Sequence, residues 1–184
     1  MKFTDGVIAV RAFEFGDEEN LHAAIKESLP ELGPWMSWAN ESYTLETARN
    51  FVAVTRAHWS NGSMYSFAIV DAKTDEFLGG CGLSHIHPVY KFCNLGYWVR
   101  TPHHGKGIAG RAAKLIAQFA FEKASLIRAE IVIAVGNEAS KRVAEKVNAH
   151  YEGILLNRMT VGTAIYDAYM FSLLPSDFGL VAKL

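Results

Sequence analysis

The chain has 184 residues, half of them hydrophobic and a fifth charged, which suits one globular domain spanning residues 1–184. Eighteen lysines and arginines against 19 acids leave a net charge of −1, so no diffuse positive field is offered to a nucleic-acid backbone. The longest stretches free of Asp, Glu, Lys and Arg, Ala57–Val70 and Phe77–Tyr90, fall short of the roughly 20 apolar residues of a membrane helix, and no signal-peptide pattern opens the chain. The expectation is a cytoplasmic protein, monomer or homodimer, that binds neither nucleic acid nor membrane.

In chain order, Val7–Phe13 reads as a strand, followed after Gly16-Asp17 by a helix in which Leu21, Ala24, Ile25 and Ser28 recur at helical spacing until Pro30 stops it. The segment Glu31–Asn40 is punctuated by Gly33-Pro34 and carries Trp35, Met36 and Trp38. Thr44 caps a second helix running to about Trp59, and Asn61-Gly62 turns the chain. Strands near Met64–Val70, Phe77–His85 and Phe92–Val99 have short polar connections and form an antiparallel meander. A glycine-rich turn then opens a helix reaching Phe121, followed by a strand, Ala129–Val135, and a helix, Glu138–Val147. Gly153–Thr160 and Ala164–Leu173 close as a hairpin around Val161-Gly162. This order predicts an α/β fold: a mixed sheet with helices on its faces. Cys81 and Cys93 make no disulfide framework and match no zinc-ligand spacing. They read as small buried residues, with an acyl-carrying nucleophile as the functional alternative.

The most informative segment is the turn after Phe92–Val99. Glycines at 105, 107 and 110 remove the Cβ atoms that would hold a ligand away from the backbone, and a helix start points unpaired N–H groups outward. That combination suits pyrophosphate; Lys106 and Arg111 either add charged contacts or stay solvated on the first turn. Gly105-x-Gly107-x-x-Gly110 also satisfies the dinucleotide fingerprint. A dinucleotide fold, however, places that turn after its first strand with an acid ending the next, whereas here a meander comes first and Glu138 reads as a helix-start residue. The Walker A spelling fails, lacking the Gly-Lys-Ser/Thr end.

His104-Gly105-Lys106-Gly107-Ile108-Ala109 resembles the Gln/Arg-x-x-Gly-x-Gly/Ala acyl-CoA motif of the GCN5-related N-acetyltransferases (GNAT), and the resemblance extends over nearly the whole chain. More narrowly, four further stretches are similar to the RimJ/RimL group that acetylates protein N-termini. They are Leu29-Pro30-Glu31-Leu32-Gly33-Pro34-Trp35-Met36, Leu95-Gly96-Tyr97-Trp98-Val99, Asn137-x-x-Ser140, and Glu145-Lys146-Val147-Asn148 through Glu152-Gly153. The resemblance implies the GNAT fold, acetyl-CoA as co-substrate, no metal, and direct transfer to an amine. The implied acceptor is a peptide or protein N-terminus; a small amine such as a polyamine, amino acid or antibiotic is the enzymatic alternative. A non-catalytic acyl-CoA or nucleotide-binding module is the rival from another class. Implied cofactor contacts are the backbones of Tyr97, Trp98 and Val99 beside a bulge at Gly96, the turn residues His104, Gly105, Lys106, Gly107, Ile108, Ala109 and Gly110, and the side chain of Asn137. Ser140 would stand near the sulfur and steady the departing thiolate. Two departures matter: His104 replaces the usual Gln or Arg, and Asn94 stands where relatives often carry a glutamate, so no base carries over to that position.

As a base, His85 is the leading candidate, alternating with His87 if the strand extends that far; Glu41 and Glu46 lie near the aromatic segment. The burden on any base is light for an α-amine. With a pKa of about 7.7–8.0 it is roughly a quarter neutral near pH 7.4, against about 0.1% for a lysine. Trp35, Trp38 and Glu41 are the candidate acceptor-binding residues, with packing under a loop as the structural alternative. Zinc at His85 and His87 would need further ligands that the sequence does not supply.

Overall fold

Hairpin turns and apolar alternation lay the first strands side by side. In the computed structural model, which describes residues 2–182, β1 (Lys2–Thr4), β2 (Ile8–Ala12), β3 (Tyr65–Asp71), β4 (Phe77–Ser84) and β5 (Phe92–Val99) pair antiparallel in chain order. Between β2 and β3 run α1 (Glu18–Glu27), α2 (Leu29–Leu32) and α3 (Leu45–Asn61). After β5 come α4 (Ile108–Glu122), β6 (Arg128–Ala134), α5 (Glu138–Lys146), β7 (His150–Val161) and β8 (Ala164–Leu173). β6 lies parallel to β5, and β8 inserts between β6 and β7, completing the order β1-β2-β3-β4-β5-β6-β8-β7. Among the described residues no helix is long and apolar enough to cross a membrane.

Period-two alternation sorts the central strands between two cores. Ile8, Val10, Phe67 and Ile69 face α4, whose Ala112, Ala113 and Ala117 are small enough to bring the helix close to the sheet while Ile116 fills the core between them. Ala9, Ala68 and Val70 face α1 and α3 through Leu21, Ile25 and Val52. Phe67 is fully buried with the rings of Trp59 and Phe119 at 4.9 and 5.1 Å, an anchor whose truncation to alanine costs about 3–5 kcal/mol.

Several local features follow the sequence closely. Thr44 caps α3 by accepting the Thr47 N–H at 3.2 Å, and Gly62 ends that helix in the left-handed region at φ 70°. Others differ. Pro30 does not stop α1, which already ends at Glu27; it sits in the first turn of α2, where a proline lacks nothing the helix would use. β4 ends at Ser84 because His85 turns into the left-handed region at φ 50°. His85 and His87 therefore do not alternate on a strand. β7 starts before Gly153, at His150, and its pairing with β8 shifts register twice.

The feature that positions the site is a divergence between β5 and β6. They pair only at Phe92–Arg128, Cys93–Ala129 and Asn94–Glu130. Beyond that point β5 stays on β4 as far as Val99, and β6 stays on β8 as far as Ala134. A wedge opens between Leu95–Val99 and Ile131–Ala134. The β4–β5 register runs unbroken through Gly96 opposite Gly82, so the opening comes from lost β5–β6 pairing and not from a bulge at Gly96.

Candidate active site

One side of the wedge ends in the glycine turn. Its position is set by the helices before β3: Arg100 pairs with Glu27 at 2.7 Å, the Thr101 N–H donates to Ser28 Oγ at 3.1 Å, and the Thr101 hydroxyl donates to Glu31 at 2.8 Å. Gly105 and Gly107 adopt φ of 76° and 77°, and a Cβ on either would project into open space. Their conformation demands glycine, and the backbone stays approachable. α4 begins at Ile108 behind Gly107, with no side-chain cap, so its first N–H groups are not taken by a neighbouring side chain. Such a turn fits the pyrophosphate of a CoA ester. Gly110 has a different task, because a Cβ there would lie 3.3 Å from Val147 Cγ1; it lets α4 approach the end of α5.

The charged groups around the turn are unequal. Arg111 binds Asp5 at 2.6 Å, and partial burial of that carboxyl is outweighed by the Ile8 and Val7 amides and by Arg111, which hold it below its usual range. Lys106 is exposed and makes no ion pair among the described residues. His104 Nε2 donates to the Val99 carbonyl at 2.8 Å, tying the turn back to the end of β5.

The wedge opens into a cavity of about 780 Å³ reaching both faces of the sheet. Tyr97 and Trp98, consecutive on β5, project to opposite sides. On the α5 side, Asn137 caps the helix by accepting the Ser140 N–H at 3.1 Å. The Tyr97 hydroxyl donates to the Ser140 carbonyl at 3.1 Å and lies 3.2 Å from Ser140 Oγ. Burial pushes the Tyr97 phenol up to about 12 against the opposing Ser140 bond, so it remains protonated at neutral pH. On the other side, the Trp98 indole lies on Gly80, where a Cβ would stand 2.6 Å from Nε1. Trp38 meets Trp98 at 6.2 Å and Tyr43 at 6.3 Å. Trp35 reaches across to Tyr166 and to the Gly136 turn that precedes Asn137. The loop between α2 and α3 thus spans the wedge.

The described residues lining the cavity include no Asp, Glu, Lys or Arg. His85 is at its rim, with Nδ1 3.1 Å from Ser84 Oγ. Asn94 lies opposite Ser84 and faces the same space. Glu41 is outside the lining, almost wholly exposed and paired with Lys26 at 3.1 Å; Glu46 is also outside, 3.7 Å from Arg49. His87 accepts the Val89 and Tyr90 N–H groups and stacks on Tyr90 and Phe92, organising the β4–β5 loop away from the cavity. Burial raises the thiols of both cysteines, that of Cys93 to about 12 with Glu130 adding to the effect, so neither is a thiolate at neutral pH. No group of His, Cys, Asp and Glu suited to a metal occurs among the described residues.

Of the residues singled out in the sequence, Ser140, Asn137 and His85 line the cavity and the glycine turn lies beyond its lining; the Tyr97 hydroxyl as Ser140's partner, 43 positions away, was not foreseen. Nor were Phe13, Phe51 and Met64 as cavity walls. One signal was present: a glycine inside a strand marks a close approach, and Gly80 makes room for Trp98.

Residues 8–150 match the family model described as an acetyltransferase (GNAT) domain. YdaF of Bacillus subtilis (strain 168), which carries a provisional name as a ribosomal N-acetyltransferase, is 27% identical over 173 residues, covering 93% of each chain. The solved structure of RimL, a ribosomal L7/L12 alpha-N-protein acetyltransferase in complex with coenzyme A, superposes with a TM-score of 0.83 over 91% of this chain and 94% of its own, at 20% identity. The microcin C7 self immunity acetyltransferase MccE, in complex with acetyl-CoA and AMP, gives 0.85 over 93% of each chain, also at 20% identity. At that identity the two structures speak for the fold. The family match, the β5–β6 wedge and the glycine turn together assign the chain to the GNAT acetyltransferases, as an N-acetyltransferase that uses acetyl-CoA.

Proposed function

We propose that the protein acetylates the N-terminal α-amine of a peptide or protein by direct transfer. The observation that carries this reading is the cavity lining: among its described residues there is no carboxylate, and His85 is the one side chain of a type that titrates near neutrality. An α-amine, roughly a quarter neutral near pH 7.4, needs no stronger base than a histidine reached directly or through water. A lysine side chain or a polyamine brings charge that this lining has no acid to match.

Acetyl-CoA supplies the acetyl group as a thioester: as the amide N–C bond forms the C–S bond breaks, and CoA leaves as the free thiol. The amides of the Gly105–Ala109 turn and the Lys106 ammonium hold the pyrophosphate, and the backbone of Tyr97, Trp98 and Val99 borders the pantetheine arm. The Asn137 carboxamide oxygen is occupied by the Ser140 N–H, which leaves its NH₂ group to donate to the arm. The Ser140 hydroxyl steadies the departing sulfur, with Tyr97 behind it fixing the first turn of α5. His85 at the rim takes the ammonium proton. Both cysteines stay protonated, which favours direct transfer over an acyl-enzyme.

The test is thiol release from acetyl-CoA with four acceptors: a peptide with a free N-terminus, the same peptide blocked there but carrying a lysine, spermidine, and an aminoglycoside. Transfer to the free N-terminus, rising with pH through about 7.7–8.0, is the expected result. Transfer confined to lysine or to the polyamine overturns the reading.

A further inference from the structure

We infer that the acceptor's first residue is large, apolar and uncharged, so that the preferred substrates are peptides beginning with an aromatic or branched aliphatic side chain. This rests on the N-terminal reading above and adds the substrate class. On the α1–α3 face of the wedge, opposite Ser140, the cavity is walled by Phe13, Trp38, Tyr43, Phe51, Met64 and Trp98. Phe13 and Phe51 meet edge to face at 5.2 Å, and Trp38 and Trp98 do so at 6.2 Å, with Phe13 and Tyr43 themselves buried behind the more exposed rings. Trp38 and Phe51 are 43% and 38% exposed, unlike the fully buried rings of the α4 core. They form apolar surface at the lip of a cavity, and an apolar side chain entering it gains by covering them.

Charge points the same way. The described lining holds no Asp, Glu, Lys or Arg to pair with an entering charged side chain, His85 at the rim being reserved for the amine, and the nearest acid on the aromatic loop, Glu41, is outside the lining and engaged with Lys26. Desolvating such a charge without a partner is costly. A first residue of serine, alanine or glycine meets no such penalty but leaves the aromatic walls uncovered. A large apolar residue therefore gains about 10- to 100-fold over serine, the range set by burying one such side chain.

Full-length protein at saturating acetyl-CoA is given peptides that differ only in a first residue of Phe, Leu, Ser, Asp or Lys, with 2-phenylethylamine and spermidine as small-amine arms. Thiol release gives kcat/KM for each. Tryptophan fluorescence with the corresponding N-acetylated Phe and Ser peptides, which cannot react, reports occupancy of the Trp38–Trp98 wall without turnover. The expected result is Phe and Leu above Ser by at least about tenfold and Asp and Lys lowest, with tighter quenching by the Phe product. Trp38→Ala should pull the Phe-to-Ser ratio toward one at an unchanged melting temperature, since its ring is partly exposed. Equal rates for Phe and Ser, or a preference for Asp or Lys, overturn the apolar class and leave N-terminal transfer standing. Transfer to 2-phenylethylamine with none to any peptide overturns N-terminal transfer and, with it, this inference. Transfer to spermidine alone, or to no member of the panel, overturns both.

Discussion

The two walls of the site are made of different material. Toward α4, beyond the residues that line the cavity, the wall is backbone: a few consecutive residues, two glycines at positive φ, and a helix start with no side-chain cap. Toward α1–α3 it is side chain: aromatic and methionine residues drawn from the end of β2, the α2–α3 loop, α3, the start of β3 and β5. A backbone wall suits a constant ligand such as a pyrophosphate, because every chain owns the same N–H groups and needs only glycine spacing to expose them. A side-chain wall can be repapered without disturbing that cradle, so the acceptor can vary while the acetyl donor does not.

The largest expected effect separates the walls outright. Gly107→Asp places a carboxylate at the α4 start and a Cβ on a left-handed residue, and acetyl-CoA affinity by calorimetry should fall more than about 100-fold. Melting should drop by only a few degrees, because the position is exposed. Retained affinity would break the assignment of the cradle to backbone.

Next in size is the hinge between the walls. Ser140→Ala should lower kcat about 100-fold with the acetyl-CoA Kd unchanged, and Tyr97→Phe about tenfold. If the two hydroxyls act as one unit, the double variant is no slower than Ser140→Ala; multiplicative losses would show that Tyr97 acts elsewhere.

A smaller contrast lies within the cradle. Lys106→Ala should weaken acetyl-CoA binding about three- to tenfold, whereas Arg111→Ala should change it less than about twofold, because Asp5 already holds that guanidinium. Equal losses would mean that the cradle draws on both cations.

The smallest effect leaves both walls alone. Glu152, bound by Arg128 at 2.6 Å and by the Ser172 hydroxyl, has its pKa lowered to about 2, chiefly through the Arg128 hydrogen bonds. A carboxyl depressed in the folded state stabilises above its ordinary pKa of about 4.3, and that contribution is lost as pH falls toward about 2. Urea midpoints of the wild type should fall faster than those of Glu152→Gln across that window, modestly because the pair is part-exposed. Acetyl transfer at pH 7.5 should differ little between the two.

These contrasts explain what could be read early. Gly105 and Gly107 were legible because a left-handed turn before a helix leaves its mark in adjacent letters, and Asn137-x-x-Ser140 was legible as a motif whose spacing the structure explains, Asn137 capping α5 by accepting the Ser140 N–H. Gly110 was legible as a glycine but not as a packing site, since Val147 lies on another element. Pro30 was misjudged because the same ring that ends one helix can begin the next. The reach of β4 to His85 failed on a single φ angle, and Glu41, close to the aromatic loop in sequence, faces Lys26 instead of the cavity.

By itself the sequence determined most of the strand and helix order, though not β1 or α2, together with the left-handed glycine turn and the near-neutral charge, all of which arise from neighbours along the chain or from composition. Tertiary structure alone decided where β5 and β6 part, that Tyr97 meets Ser140, and that the described cavity lining holds rings and no Asp, Glu, Lys or Arg. Those depend on pairing between residues tens of positions apart, whose energies are set by packing and desolvation in the folded sheet and leave no local spacing to read.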